Sequence, residues 1–167
     1  RTDGKGWPLM EGKCFHQFVP DFSKPRFTVD PSAGLGYTKR HTAFKGINDW
    51  VHRQPRLAYR HVGISTNVRS LISCIIPPNS FCYQSAVTVI PRTKDVPLKG
   101  DDYFRKISYL AGIFNSMVFD FLIRKRVNIN LTFFLVYQTP IPGSSSHTNE
   151  IINIAARLNS PDDRYRE

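Results

Sequence analysis

Residues 53–78 read RQPRLAYRHVGISTNVRSLISCIIPP, and the stretch changes character halfway along. Its first half carries arginines among aliphatic and aromatic residues, and its second half is an almost purely apolar run. The run LISCIIPP, residues 71–78, is rich in β-branched side chains and closed by two prolines, which predicts a buried strand. RLAYRHVG, residues 56–63, alternates in the manner of a strand. The polar triplet at 65–67 therefore predicts the turn between two strands.

The basic half of this stretch belongs to a wider cationic segment. Residues 39–69 contain seven Lys or Arg and one acid, Asp49, which is a net charge of +6 out of the +10 of the whole chain. Clustered cations bind phosphates by releasing condensed counterions, and the arginine fork also pairs with guanine. A solvated basic face is the alternative interpretation of such a run. The density of the charges favours nucleic acid, and in that setting Asn67 is either part of the turn or a reader of adenine.

An amphipathic helix is predicted over about residues 102–127. Its apolar positions alternate at spacings of four and three: Tyr103, Ile107, Leu110, Phe114, Met117 and Phe121. Acids at 101–102 favour the helix N-terminus, and the basic run at 124–126 favours its C-terminus. At about 1.5 Å per residue the helix would be nearly 40 Å long.

The rest of the chain predicts shorter elements. We expect extended pieces in residues 1–30, including an alternating strand at 13–19, a Gly-rich loop at 30–41, a buried strand at 85–91, an extended segment at 131–142 and a helix at 149–159. The predicted fold is one α+β domain over residues 1–167. It has a mixed or antiparallel sheet in the N-terminal two thirds, the long helix, and a short C-terminal helix.

Composition and motifs exclude several classes of protein. The three cysteines are odd in number and lack CxxC spacing, so neither a disulfide framework nor a zinc site is predicted, and a reducing cytoplasm is expected. No run reaches the 18 to 20 or so apolar residues of a membrane span, so no membrane partner is expected. Glu11-Gly12-Lys13 has the spelling of a metal-dependent nuclease half-site, but only Asp3 is available upstream. A nuclease remains a minor alternative.

Three segments taken in order resemble a known family of DNA-binding modules. They are EGKCFHQF at 11–18, RLAYRHVGISTNVRSLISCIIPP at 56–78, and YLAGIFNSMVFDFLIRKRVNINLTFFLVYQTPIP at 109–142. They resemble the TaqI-like target-recognition domain that follows the adenine-methylating domain in bacterial type II and IIG restriction-modification enzymes. The (N/D)PP(Y/F) hallmark of the methylating domain has no match, because IPPNSF at 76–81 lacks the preceding Asn or Asp. The resemblance implies a recognition module that is not itself an enzyme, cut from a larger protein.

The resemblance also implies partners and site residues. Double-stranded DNA is the expected ligand, and the methyltransferase domain of the same chain is the expected protein partner. The resemblance implies that S-adenosylmethionine, and Mg²⁺ where a nuclease is fused, belong to the parent enzyme, with no cofactor in this piece. Together with the basic segment, the resemblance gives the following DNA-binding candidates: Lys13, His16, Gln17, Lys39, Arg40, His41, Lys45, Arg53, Arg56, Arg60, Ser65, Thr66, Asn67 and Arg69. A module whose long helix docks a protein is the remaining alternative.

Overall fold

The computed structural model describes residues 6–41, 49–93 and 96–160. These residues form an α+β fold, as predicted, with small sheets and several helices. The strands are β1 (Trp7–Met10), β2 (Thr28–Val29), β3 (Arg56–Arg60), β4 (Ser73–Ile76), β5 (Phe81–Cys82), β6 (Ala86–Val89), β7 (Arg92–Thr93) and β8 (Val96–Pro97). The helices are α1 (Pro31–His41), α2 (Gly100–Phe114), α3 (Met117–Arg124), α4 (Phe133–Tyr137) and α5 (Thr148–Asn159), with short 3-10 turns at Gly12–Cys14 and Asp49–Arg53.

The central sheet has the antiparallel order β4-β3-β6, with β3 in the middle. In its register Leu57 of β3 lies opposite Ile75 of β4 on one side and Val89 of β6 on the other. All of β3 except Arg60 is buried. The sheet packs against Tyr103, Ile107 and other apolar residues of α2. Both strands predicted from the apolar runs are present, with β3 between them, but β6 is buried only at Ala86, although a buried strand was predicted there.

The predicted sheet is divided into smaller ones in the described part of the chain. Strand β1 pairs antiparallel with β2 and parallel with β5, so the second sheet is mixed. Strands β7 and β8 form a separate two-stranded ribbon. Strand β5 lies in the connection between β4 and β6, which joins the N-terminal segment to the central sheet.

The prediction of one long helix is wrong in one respect: the structure has two helices with a break between them. Helix α2 ends at Phe114 and α3 begins at Met117, and the two meet at an angle of 64°. Asn115 stands at φ −88° and ψ 0°, and the Ser116 side chain accepts a hydrogen bond from Phe119 N at 3.1 Å. A serine N-cap supplies an acceptor that starts a new helix. The apolar period continues across the break, so periodicity alone does not reveal it.

The break places Asn115 beside the open edge of β4. Its Oδ1 accepts from Ser73 N at 3.3 Å, and its Nδ2 donates to Ser73 O at 3.1 Å. Two residues along, Ile75 N donates to Oδ1 of Asn159 at the end of α5, at 2.9 Å. An open sheet edge exposes unpaired backbone groups. The two asparagine amides pair with these groups and close the edge.

The loop predicted at 30–41 is a helix instead. Asp30 accepts a hydrogen bond from Ala33 N at 2.9 Å, and Pro31 occupies the first helical position, which together are a strong helix start. A Cβ at Gly34 would lie 2.4 Å from the Phe81 ring, so this glycine permits close packing of α1. The glycines of the segment 30–41 led to the prediction of a loop. The helix start at Asp30 and Pro31 stabilises a helix in spite of these glycines.

Two further segments differ from the prediction. The alternating strand expected at 13–19 is a 3-10 turn followed by a tight turn, in which Phe18 has φ 60° and His16 bridges Val19. The extended segment expected at 131–142 contains α4, whose N-cap Thr132 accepts from Leu135 N at 3.3 Å. In both cases a local capping or turn contact overrides the pattern of apolar residues.

Two buried tyrosines give a matched test of the core. The Tyr59 hydroxyl has no hydrogen-bond partner in the described structure, whereas the Tyr103 hydroxyl donates to Pro55 O at 2.9 Å. Tyr59→Phe removes an unpaired buried group and should raise the free energy of unfolding by about 1 kcal/mol, while Tyr103→Phe should lower it by about 1 kcal/mol. Urea unfolding of the two variants measures both. An equal decrease in the free energy of unfolding in both variants would contradict the assignment of a hydrogen-bond partner to Tyr103 alone.

Candidate nucleic-acid interface

The connection between β3 and β4, residues 61–72, carries an exposed polar tip. Ser65, Thr66 and Asn67 are exposed, and Val68 has 93% of its surface open to solvent. The backbone of the tip forms a turn in which Asn67 N donates to Ile64 O at 3.2 Å. Connecting segments that carry fixed, exposed side chains are common binding elements. This segment contains the predicted Ser-Thr-Asn turn.

Helix α3 holds this connection in place. Asp120 Oδ1 accepts from Ser70 N at 2.8 Å and from Leu71 N at 2.9 Å, and Asp120 is itself buried. Arg124 donates to Ser65 O at 3.1 Å and to Val68 O at 2.8 Å. The two helix residues are also paired with each other at 3.1 Å. These bonds fix the backbone of the tip and leave its side chains outside.

The base of the connection is anchored separately. Gly63 N donates to Ile129 O at 3.0 Å, and Leu131 N donates to His61 O at 2.7 Å. A Cβ at position 63 would lie 2.0 Å from Ser70 O, so a glycine is required where the two ends of the loop approach each other. The tip is therefore supported on both sides.

Beside the tip lies a cleft of about 370 Å³. It is lined by His16, Gln17, Arg60, Asn67, Val68, Arg69 and Ile72. Five of these are among the fourteen predicted DNA-binding residues, and they come from two segments more than 40 positions apart. The lining contains two arginines and, among the described residues, no carboxylate. The arrangement is suited to an anionic or hydrogen-bonding ligand.

The polar groups of the cleft differ in how far they are already bonded. Arg60 donates to Phe15 O from Nε at 3.1 Å and from a terminal nitrogen at 2.5 Å, and its burial lowers its pKa. Gln17 Nε2 donates to Asn115 O at 3.0 Å. In the described structure the side chains of Asn67 and Arg69 make no hydrogen bond. These two side chains have their full hydrogen-bonding capacity for a ligand.

His16 lies against the cationic wall of the cleft. Burial, and secondly the charge of Arg60, lower the pKa of His16. Its ring also packs against Phe22, with the ring centres 5.1 Å apart. A neutral imidazole is therefore favoured near neutral pH, and an anion in the cleft would oppose the effect of Arg60.

The shifted histidine predicts an acid-sensitive fold. Because the pKa of His16 is lower in the folded state, the unfolded state takes up the proton first as pH falls below about 6.5. Stability should therefore fall from about pH 7.5 to about pH 5.5, and by less in His16→Gln than in the wild type. Urea midpoints at the two pH values measure this. An equal fall in both proteins would contradict the assigned environment.

The position of Arg56 corrects an expectation. This residue was predicted to lie on the DNA-facing surface, but it is 2% exposed. Its guanidinium donates to His52 Nδ1 at 2.8 Å, to Ser80 O at 2.6 Å and to Ser80 Oγ at 2.9 Å. Because β3 is a central strand with both faces covered, its first residue lies inside the fold. Arg56 therefore links β3 to the β4–β5 connection and is removed from the candidate surface.

Other predicted residues lie outside the cleft lining. Lys13 is half exposed and lies 3.7 Å from Glu11, and Arg53 is exposed over the Trp7 ring at 5.3 Å. Exposed positions on the tip or on α1 are occupied by Ser65, Thr66, Lys39 and Arg40. Lys45 and the side chain of His41 lie outside the described residues.

In the structure the glutamate of the nuclease-like tripeptide is paired with an arginine. Both oxygens of Glu11 are hydrogen-bonded to the Arg26 guanidinium, with Nε–Oε2 at 2.9 Å. This bonding lowers the pKa of Glu11. Asp3 lies outside the described residues, and within those residues no three His, Cys, Asp or Glu side chains are grouped as metal ligands. Glu11 and Arg26 join the first turn to the segment before β2.

Sequence reasoning missed four contributors to the site. Asp120 carried no site prediction and Arg124 was interpreted as part of the helix C-terminus. The bend after α2 brings both to the loop. Val68 was also missed, although a valine between Asn67 and Arg69 in a polar turn is an apolar residue in a segment predicted to be exposed, which indicates a contact with a ligand. Gly63, which lies between strand β3 and the tip, was missed as well, although a glycine directly after a strand indicates a close approach of the backbone.

A larger open groove of about 640 Å³ lies between α2, α5 and residues 141–144. It contains Arg105 and Lys106, but Asp102 also lines it, and Arg105 is hydrogen-bonded to Asn149 at 2.6 Å. The smaller cleft has the more uniformly positive lining and is the stronger candidate.

No protein-family model, curated protein or solved structure matches the chain. Within the described ranges, no helix taken singly has the length and hydropathy needed to cross a membrane. Helices α2 and α3 reach those limits only when joined, across their 64° bend.

Proposed function

We propose that this chain binds duplex DNA through the cleft and the tip of the β3–β4 connection. One observation carries the proposal: residues 16–17 and 60–69 meet in a cleft that has two arginines and no carboxylate among its described lining residues. Arginines without neighbouring carboxylates attract phosphates, and the chain as a whole has a net charge of +10. The protruding tip supplies side chains that can enter a groove.

The proposal includes a biological setting. On the resemblance to TaqI-like target-recognition domains, we propose that this chain is the specificity module of a bacterial cytoplasmic restriction-modification enzyme. In that setting the module selects the target sequence, and the methyltransferase domain of the parent protein carries out the S-adenosylmethionine-dependent reaction. The cleft residues all lie within the segments 11–18 and 56–78 that resemble the family. The resemblance and the positive cleft therefore support the same surface.

Salt dependence tests the proposal on the wild-type chain. Fluorescence anisotropy with a labelled duplex of randomised sequence should show binding that weakens with salt. If four to six phosphates are contacted, log K against log salt should fall with a slope of roughly −4 to −5. A single strand of equal length is the control for duplex preference. Failure to bind at low salt, or a slope near zero, would refute the proposal.

A protein-docking function is the second candidate, and a specific surface favours it. Met117, Val118 and Phe121 of α3 are exposed by 76%, 73% and 56%. Exposed apolar side chains grouped on one helix are typical of interaction sites.

A further inference from the structure

The tip of the β3–β4 connection combines a fixed backbone with two unusual side chains. Asn67 makes no side-chain hydrogen bond within the described structure, and Val68 is 93% exposed. Arg124 holds the carbonyls of Ser65 and Val68, so the backbone of the tip is already set before any ligand binds. Preorganised side chains bind without a large loss of conformational entropy.

Asn67 has the chemistry to recognise adenine. Its amide offers one acceptor and two donors, which matches N6 and N7 of adenine at the floor of the major groove. The hydrogen bond from Asn67 N to Ile64 O fixes the direction in which the side chain leaves the turn. Arg69 and Arg60 lie in the cleft beside it, where phosphates would be held.

Val68 has the chemistry to recognise thymine. A valine exposed at the end of a rigid polar turn contributes little to folding, because its methyl groups remain in water. In the major groove the apolar feature of a base pair is the C5-methyl of thymine. Consecutive Cα atoms are about 3.8 Å apart, close to the 3.4 Å or so between stacked bases. Two successive side chains can therefore contact the same or neighbouring base pairs.

From this geometry we propose that the tip reads an A·T base pair in the major groove, with Asn67 on adenine and Val68 on a thymine methyl. The proposal rests on the proposed function and adds the identity of a base pair and the two residues that select it. The cationic cleft supplies sequence-independent affinity, and the tip supplies the discrimination.

Selection from a randomised duplex pool tests the assignment. The purified wild-type chain, Asn67→Ala, Val68→Ala and the control Asn153→Ala, which changes an exposed asparagine of α5 outside the cleft lining, are each used to enrich bound DNA. The wild type and the control should enrich a motif that contains a fixed A·T pair. That preference should be lost in Asn67→Ala and reduced in Val68→Ala, while affinity for the unselected pool stays within about twofold, because neither residue carries charge.

Modified bases then assign each residue to its atom. On the selected duplex, 7-deazaadenine should weaken the wild type by roughly five- to a hundredfold and leave Asn67→Ala unchanged. Replacing the thymine with uracil should weaken the wild type by about fourfold, as expected for one buried methyl, and leave Val68→Ala unchanged. The loss of affinity caused by 7-deazaadenine should therefore be absent in Asn67→Ala, and the loss caused by uracil should be absent in Val68→Ala.

The outcomes separate this inference from the function on which it rests. Binding without any motif, a motif without A·T, or base modifications that weaken wild type and variants equally would overturn the tip assignment and leave DNA binding in place. No binding to any duplex at low salt would overturn both.

Discussion

Replacing Asp120 with Ala should lower the free energy of unfolding by about 3–5 kcal/mol, because two buried backbone N–H groups lose a charged acceptor. Those groups belong to Ser70 and Leu71, which lie 2.8 and 2.9 Å from a single carboxylate oxygen. Arg124 loses its partner in the same substitution. Since a domain is typically stable by about 5–15 kcal/mol, this loss would be a large fraction of the total.

Urea unfolding measures the effect, and Asp120→Asn is the matched comparison. The asparagine keeps a carbonyl oxygen for the two N–H groups but loses the charge, so about half of the loss should be recovered. A change below about 1 kcal/mol in Asp120→Ala would mean that water reaches the Ser70 backbone, and the account of a rigid tip would be wrong.

The double variant Arg60→Ala, Arg69→Ala should weaken binding to unselected duplex by roughly ten- to a hundredfold and make the salt slope shallower by about 2. Both arginines line the cleft, and each is assigned one phosphate. Arg60 also donates to Phe15 O, so the urea midpoint of the variant is measured alongside its affinity.

A second double variant removes the same charge elsewhere. Lys106→Ala, Arg157→Ala replaces two exposed cations on α2 and α5, outside the cleft lining, and lowers the net charge equally. Its slope should stay within about half a unit of the wild type. If the two double variants weaken binding to the same extent, net charge rather than the cleft would account for the affinity.

Much of the fold follows from local patterns in the sequence. Strands β4 and β6 coincide with strands predicted from β-branched apolar runs, and β3 coincides with a strand predicted from its alternation. Helix α5 was predicted to within one residue, and α2 was predicted from its apolar period and the acids of its first turn, although neither N-cap residue makes a side-chain capping hydrogen bond. The break at Asn115–Ser116 was not predicted, because the apolar period runs through it. The Ser116 N-cap and the pairing of Asn115 with Ser73 favour the bend.

The candidate site shows the same division. The residues at 60–69 could be selected by their charge and polarity, but nothing local indicates that His16 and Gln17 would lie beside them. Arg56 was misplaced because charge was taken to mean exposure, whereas neighbouring carbonyls and hydroxyls accept its hydrogen bonds inside the fold. Asp120 could not have been assigned to the loop without the bend between α2 and α3.

The most direct measurement is a titration of the isotope-labelled wild-type chain with a short duplex, followed through its backbone amide NMR signals. The account predicts that the largest shifts fall on residues 16–17 and 60–72, and that α5 and the exposed face of α3 change little. Shifts concentrated on Met117, Val118 and Phe121, or spread evenly over all basic surfaces, would contradict a DNA-binding cleft at this position.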